Sequence, residues 1–244
     1  MKYLIGNWKM SIDLQGISNY SQALKKTKFP KSVKYGLACP NLYVDDLKKM
    51  LAKTDWKVGV QNVCYAENGA FTGEVAAHML KDKGINFCLV GHSERRTIFN
   101  EDNAIINKKL IRLLKNGLTP ILCVGETSLQ YEQKQTKRVL LKQLKECLVD
   151  VDEIGKVVVA YEPVWAIGTG KSASPKDIKE SITYIKQTLH KMYPNAKKLP
   201  SVLYGGSVKP SNSKEIFAID CVDGALVGGA SLDCTQFFEI AKNI

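Results

Sequence analysis

The sequence has no apolar run that approaches the roughly 18–20 residues needed for a membrane-spanning helix. Residues 1–9 return quickly to polar side chains and lack the pattern of a secretory signal peptide. The seven cysteines are odd in number and form no Cys-x-x-Cys pair. We therefore expect a cytoplasmic protein with reduced, mostly buried thiols, no contact with a membrane and no cysteine-based zinc site.

Blocks of like charge are also absent, although the chain is basic. It has 35 Lys and Arg against 24 Asp and Glu, a net charge of +11, and only 8% aromatic residues. The lysines are spread along the chain, and many, such as Lys108 and Lys109, lie between apolar residues at helical spacing. This pattern predicts solvated helix faces and no nucleic-acid partner. Long-range attraction of an anionic substrate and weak nucleic-acid binding are the alternatives.

Eight short β-forming runs alternate with amphipathic helical patterns. Several runs are apolar at consecutive positions, which is typical of parallel strands buried on both faces. The runs cover residues 3–7, 35–39, 57–61, 87–91, 119–124, 157–161, 201–204 and 222–227. An open doubly wound sheet and a closed barrel both fit this alternation. Eight repeats in 244 residues without a linker favour the α/β class, with one (β/α)8 barrel domain over 1–244.

Three helix starts are marked by capping residues. Thr127 with Gln130 predicts a capping box that opens a helix through Leu148. Ser174 before Pro175 predicts another start. A third helix is expected to begin at 100–102, with acidic residues in its first turn.

Polar residues that a simple turn does not require follow several of the predicted strands. Asn7 and Lys9 follow the first strand, His92 and Glu94 the fourth, and Glu162 the sixth. Enzyme sites of such barrels lie at these carboxyl ends. Glu162, partly desolvated after its strand, is a candidate base. His92, kept neutral beside a helix N-terminus, is a candidate hydrogen-bond donor, and Lys9 is a candidate for stabilising negative charge. Each residue also has a purely structural alternative. Glu162 could be a helix cap or an ion-paired carboxylate, His92 a buried histidine without a catalytic role, and Lys9 an exposed lysine at a strand end.

Glycine pairs follow the last two strands, at Gly205-Gly206-Ser207 and Gly228-Gly229. Backbone amides in such turns can hold a phosphate, although a double glycine alone is usually just a turn. The segment 163–171 is apolar in its middle and glycine-containing near its end, which favours a lid that excludes water. Together these residues predict proton abstraction next to a carbonyl in a small phosphorylated compound.

Seven sequence blocks, all in the order expected of one family, make the prediction more specific. They are GNWKM at 6–10, QNV at 61–63, GAFTGE at 69–74, GHSERR at 91–96, AYEPVWAIGTG at 160–170, YGGSV at 204–208 and DGALVGGAS at 223–231. Through these blocks the sequence resembles the triosephosphate isomerase family, whose members are TIM barrels, along its whole length. Departures are minor: Asn100 stands where the family often has glycine, and 64–65 lie in a variable loop.

The resemblance implies interconversion of dihydroxyacetone phosphate and D-glyceraldehyde 3-phosphate, a step of glycolysis and gluconeogenesis, without a metal or organic cofactor. It implies that Glu162 moves the carbon-bound proton and that a neutral His92 shuttles protons between the two oxygens. Lys9 and Asn7 would stabilise the enediolate, and Glu94 would pair with Lys9.

The resemblance also implies how substrate and partner are held. The phosphate would lie against backbone amides of Gly168, Ser207, Gly228 and Gly229. Ile167 and Leu226 would close over the base. The family is usually a homodimer, in which the loop 61–75 enters the neighbouring subunit and Thr72 approaches its active site.

Two other functions compete with this reading. An aldolase acting on phosphosugars would need a Schiff-base lysine inside the barrel, and no lysine interrupts the predicted strand cores. A non-catalytic basic binding protein would need clustered Lys and Arg with aromatic platforms, and would leave the strand-end residues idle.

Overall fold

The fold is a closed parallel barrel, as predicted. In a computed structural model, which describes residues 2–167 and 172–244, each of eight strands pairs in parallel with the next and β1 pairs with β8. The strands are β1 Tyr3–Asn7, β2 Lys34–Cys39, β3 Lys57–Val60, β4 Phe87–Val90, β5 Thr119–Val124, β6 Val158–Tyr161, β7 Ser201–Tyr204 and β8 Gly224–Val227. The predicted strand bounds agree with these to within two residues.

Helices surround the barrel and bury their apolar faces against the strands. The α-helices are α1 Leu14–Lys26, α2 Val44–Leu51, α3 Ala77–Asp82, α4 Ser93–Ile98, α5 Asn103–Lys115, α6 Ser128–Glu132, α7 Thr136–Cys147, α8 Pro175–Met192, α9 Pro210–Phe217 and α10 Cys234–Ala241. Short 3-10 helices cover Asn41–Tyr43, Ile154–Lys156, Val164–Ala166 and Gly229–Leu232. Over the described ranges, no helix has the length and hydropathy required to span a membrane.

Alternate residues of the strands fill the barrel interior. Val158 and Ala160 of β6 lie in this interior cluster, so the next residue in the same alternation, Glu162, is directed towards the carboxyl-end mouth. At the opposite end the ring of Phe87 occupies the centre. A Cβ at Gly59 would lie 2.2 Å from that ring, so glycine at this position makes room for it.

Two predicted helix boundaries are wrong. The capping box at Thr127 is present, but the helix that it opens ends at Glu132, and α7 begins at Thr136. Lys134 between them has a φ of 57°, a left-handed conformation that interrupts the helix. The helix expected from residue 100 begins at Asn103, because the Asp102 side chain caps it by accepting the Ile105 N–H at 2.8 Å.

The prediction that Lys109 lies on a solvated helix face is also wrong. Lys109 is only 3% exposed, and its Nζ donates to a carboxylate oxygen of Glu101 and to Asn62 Oδ1 at 2.7 Å. Arg95 Nε donates to the same Glu101 oxygen. Glu101 therefore does not lie in the first turn of a helix, where the sequence placed it. It joins Arg95 of α4 to Lys109 of α5, and Lys109 in turn contacts the loop after β3.

Candidate active site

The sequence-predicted residues meet in one cavity of about 480 Å³ at the carboxyl ends of the strands. The lining includes seven of them: Asn7, Lys9, His92, Glu162, Ser207, Gly228 and Gly229. Glu94 lies just behind this lining, where it contacts both Lys9 and His92. Gly168 lies outside the described residues, as do the other residues of the predicted lid from 168 to 171.

Glu162 and His92 are in direct contact at the centre of the cavity. His92 Nε2 lies 3.1 Å from Glu162 Oε1, and the backbone N–H of Ser93 donates to Glu162 Oε2 at 2.9 Å. Only 2% of Glu162 and 6% of His92 is exposed. The carboxylate is therefore removed from bulk water, with a backbone hydrogen bond on Oε2 and the His92 ring against Oε1.

The local fold fixes the tautomer of the neutral His92 ring. His92 is the N-cap of α4, and its Nδ1 accepts the backbone N–H of Glu94 at 3.2 Å. An Nδ1 that accepts a hydrogen bond carries no proton, so the neutral ring has its proton on Nε2. The approach of Glu94 Oε2 to Nδ1, at 3.5 Å, is consequently not an ion pair. The helix N-terminus that the sequence predicted beside His92 is present, and His92 itself is its cap.

Lys9 is held in a strained conformation that aims its side chain at Glu94. Its φ is 50°, which is unusual for a residue other than glycine. Asn7 Oδ1 accepts its backbone N–H at 3.1 Å, and Gln61 Nε2 donates to its carbonyl at 3.0 Å and to that of Ala38 at 3.1 Å. Lys9 Nζ then donates to Glu94 Oε1 at 2.7 Å. Asn7 and Gln61 thus fix the main chain of Lys9, and Glu94 holds its ammonium group at the cavity wall.

The backbone of Glu162 is held equally closely. Its N–H donates to the carbonyl of Val124 at 2.7 Å, and a Cβ at Gly125 would lie 1.8 Å from its carbonyl oxygen. Only glycine permits this approach. Gln143 of α7 both accepts the Gly125 N–H at 2.8 Å and donates to the Gly125 carbonyl at 3.0 Å. The position of the Glu162 main chain therefore depends on a side chain from the outer helical layer.

A buried carboxylate lies behind the start of the predicted lid. Glu126 is fully buried, and its Oε1 accepts the Trp165 indole N–H at 2.8 Å and the Tyr161 hydroxyl at 3.0 Å. Burial raises the pKa of Glu126 above its usual range, although both hydrogen bonds oppose the shift. These contacts fasten the first described turn of the segment, Val164–Ala166, to the barrel.

The glycines at the end of β8 have open space beside the cavity. A Cβ at Gly229 would meet no atom within 4 Å, and one at Gly228 would approach only Lys9 Cε, at 3.7 Å. Ser207 lies on the same side of the cavity. The arrangement is suited to an anionic group held by N–H donors. In the described part of the chain, no group of three or more His, Cys, Asp or Glu is placed to hold a metal ion.

The loop expected at a subunit interface projects from the barrel after β3. The backbone N–H of Cys64 donates to the carbonyl of Val75 at 2.8 Å, which closes the base of the loop. Thr72 is exposed near its tip, and the rings of Tyr65 and Phe71, each 39% exposed, pack edge to face at 5.6 Å. The loop thus presents aromatic surface to the outside.

Comparison with known proteins agrees with this geometry. A family model described as "Triosephosphate isomerase" matches residues 2–244. The chain belongs to the triosephosphate isomerase family.

Relatives in the triosephosphate isomerase family match nearly end to end. The triosephosphate isomerase of Alkaliphilus metalliredigens is 42% identical over 242 residues, covering 98% of each chain. That of Thermodesulfovibrio yellowstonii is 40% identical over 242 residues, covering 99% of this chain and 98% of the relative. That of Mycoplasma mobile is 40% identical over 247 residues, covering 99% of both. The protein is therefore an isomerase.

Three residues that organise this cavity could not be assigned a role in the site from the sequence: Gln61, Glu126 and Gln143. Gln61 and Glu126 follow strands, as the recognised site residues do, so their position was an available signal. Gln143 lies within a helical pattern, and its spacing does not distinguish it from a solvated glutamine.

Proposed function

We propose that this protein interconverts dihydroxyacetone phosphate and D-glyceraldehyde 3-phosphate, with Glu162 as the base and a neutral His92 as the electrophile. The observation that carries the proposal is the 3.1 Å contact between His92 Nε2 and Glu162 Oε1 inside one cavity. A base and a hydrogen-bond donor this close can act on adjacent carbon and oxygen atoms of one small substrate. Family membership supplies the identity of the substrate.

Glu162 removes the proton from the carbon next to the carbonyl. Its carboxylate is shielded from water and, within residues 2–167 and 172–244, forms no ion pair with a lysine or arginine, so its negative charge remains available to attract a proton. The Ser93 N–H and His92 Nε2–H hold it in place before substrate binds. On binding, His92 turns its single Nε2–H from Glu162 to a substrate oxygen.

His92 donates to the oxygen that gains negative charge, and then moves a proton between the two oxygens. Because Nδ1 accepts the Glu94 N–H, the ring begins neutral, and an imidazole donor is better matched to an enediolate than an imidazolium that would give up its proton outright. Lys9 supplies the adjacent positive charge, Asn7 fixes its main chain, and Glu94 keeps the ammonium group in position.

The phosphate lies against backbone amides of Ser207, Gly228 and Gly229, joined by Gly168. The open space beside Gly229 and the proximity of Gly228 to Lys9 support this assignment. The segment from Ala166 to Lys171 acts as a lid. Ile167, which lines the cavity, and the buried Leu226 then cover Glu162 and exclude water from the enediolate.

The protein acts in the cytoplasm as a homodimer, and the loop 61–75 contacts the partner subunit. Its exposed aromatic pair and the outward position of Thr72 favour this role. Thr72→Arg should shift sedimentation at micromolar concentration from dimer towards monomer. An unchanged dimer would place the interface elsewhere.

A coupled assay with glyceraldehyde 3-phosphate tests the reaction itself. Glu162→Asp retracts the carboxylate by about 1 Å, and this displacement should lower kcat by roughly 100-fold. Glu132→Asp on exposed α6 is the matched control and should leave kcat unchanged. A Glu162→Asp enzyme with the parent's kcat would exclude Glu162 as the base.

Two further variants separate His92 and the lid from the base. His92→Gln should lower kcat far more than it weakens phosphate binding, and an unchanged rate would reject its role. A shortened 166–171 segment should release the enediolate, detected as methylglyoxal and free phosphate. A shortened enzyme that makes neither product would contradict the lid.

A further inference from the structure

A depression that reaches the barrel interior lies at the end opposite the active site. This cavity, the N-terminal mouth, has a volume of about 670 Å³. Its floor is formed by interior side chains, among them Ile5, Phe87, Ile121 and Val158. The Phe87 ring packs directly against Gly59 and Gly36, where a Cβ would lie 2.2 Å and 2.8 Å from it. The volume is within the range of small-molecule sites, roughly 300–1,000 Å³.

The rim of the N-terminal mouth is strongly basic. It carries one acidic side chain, Asp55, and five exposed lysines: Lys31, Lys34, Lys57, Lys156 and Lys198. Within residues 2–167 and 172–244, only Lys156 of these five has an ion-pair partner, Glu153. The remaining positive charges face the cavity without a compensating carboxylate in contact, so an anion entering there would meet a favourable potential.

One rim lysine is positioned over an aromatic ring. Lys34 Nζ lies 5.0 Å from the centre of the Tyr3 ring and 3.5 Å from its hydroxyl. Tyr3 itself packs against the interior cluster and lines the cavity. The mouth therefore places a cation, an aromatic face and an apolar floor next to one another, which suits a ligand with a ring-sized body and a charged end.

The proposed isomerase chemistry does not use this mouth. Lys34 and Lys57 begin β2 and β3, whereas the active-site residues follow the ends of the strands. Strands of four to six residues, with a rise of about 3.3 Å each, separate the two mouths by roughly 13–20 Å. A ligand could therefore occupy one mouth while the other is free.

We propose that the N-terminal mouth is a second binding site, for organic anions that combine a ring-sized apolar body with two or more phosphate groups, the chemistry of a nucleoside polyphosphate. The body enters over Phe87, Ile5 and Ile121, and the phosphates bind the lysine rim. Lysine serves here as a mobile point charge that reaches phosphates in several geometries. The proposal is independent of the isomerase reaction, because it involves none of the same residues.

The test is calorimetric titration of the full-length protein with ATP at low ionic strength, without Mg²⁺. Two triple variants of equal charge change are compared. The rim variant carries Lys34→Gln, Lys57→Gln and Lys156→Gln. The control variant carries Lys145→Gln, Lys179→Gln and Lys191→Gln, at exposed positions on α7 and α8 outside the cavity lining. Isomerase activity measured on all three proteins confirms that they are folded.

The rim variant should bind ATP about tenfold more weakly than the parent, and the control variant should bind it within about twofold. Equal weakening in both variants, or no ATP binding by the parent, would overturn the proposal. Tripolyphosphate and adenosine should each bind more weakly than ATP. Tripolyphosphate binding as tight as that of ATP would show that the apolar floor contributes nothing and would also overturn it.

Methyl NMR identifies which mouth is occupied. ATP should shift the methyl resonances of Ile5 and Ile121 and leave those of Ile167 and Leu226 in place. Shifts confined to Ile167 and Leu226 would assign the ATP to the active-site cavity and refute the second site.

Discussion

Gln61 should control the reaction without touching the substrate, because it holds Lys9 in a strained backbone conformation. Its Nε2 donates to the Lys9 carbonyl at 3.0 Å and to the Ala38 carbonyl at 3.1 Å. Gln61→Met keeps the approximate size of the side chain and removes both donors. Lys9 is then free to leave its φ of 50° and withdraw Nζ from Glu94.

The magnitude follows from two opposing free energies. A non-glycine residue in the left-handed region costs about 1–3 kcal/mol. Two neutral hydrogen bonds contribute about 0.5–1.5 kcal/mol each, so together they nearly balance this cost. Without Gln61 the strained form of Lys9 becomes a minority state. We expect kcat/KM to fall roughly 10- to 100-fold, which corresponds to about 1.4–2.8 kcal/mol of lost transition-state stabilisation.

The assay is steady-state turnover of glyceraldehyde 3-phosphate, with Gln187→Met on exposed α8 as the matched control. Gln61 is the first residue of the loop 61–75, which we propose contacts the partner subunit. Sedimentation at the assay concentration therefore shows whether the assembly is unchanged in the variant. The fall should be mainly in kcat, because Lys9 acts on charge that develops during the reaction. A Gln61→Met enzyme within about twofold of the parent would refute the idea that Gln61 fixes Lys9.

Two further predictions concern stability and thiol reactivity. Lys109→Met should lower the free energy of unfolding by about 3–5 kcal/mol, because it leaves the Glu101 carboxylate buried with fewer donors. Adding Glu101→Leu should recover part of that loss. Urea unfolding at one protein concentration measures both variants, and a double variant no more stable than Lys109→Met would contradict the account. Burial raises the pKa of the Cys39 thiol to about 12 and that of Cys234 to about 11. At pH 8 both thiols should therefore be protonated and slow to alkylate, and the partly exposed Cys221 should react first. Peptide mapping after timed alkylation measures the order of reaction, and alkylation of Cys39 or Cys234 before Cys221 would contradict the prediction.

The barrel could be predicted because its signals are local and repeated. Each β-run is short and apolar and is followed by an amphipathic stretch. Eight such repeats fit the length of the chain. Helix boundaries were less predictable where one backbone angle decides them. Lys134 adopts a left-handed conformation that splits 128–148 into two helices, and its residue type gives no sign of this, whereas Asn100 is of a type that tolerates its φ of 55°.

At the site, the residue types could be predicted from their positions after strands, but their mutual geometry could not. The His92 tautomer depends on a backbone N–H from Glu94, and therefore on the residue at which α4 begins. Lys109 shows the same limit: at helical spacing among apolar residues it is indistinguishable from a solvated lysine. Its burial follows from contacts with Glu101, which precedes α5, and with Asn62, which lies in the loop after β3. Because a lone buried ammonium would be prohibitively unfavourable, Lys109 can be buried only together with its carboxylate, and that pairing is visible only once the chain has folded.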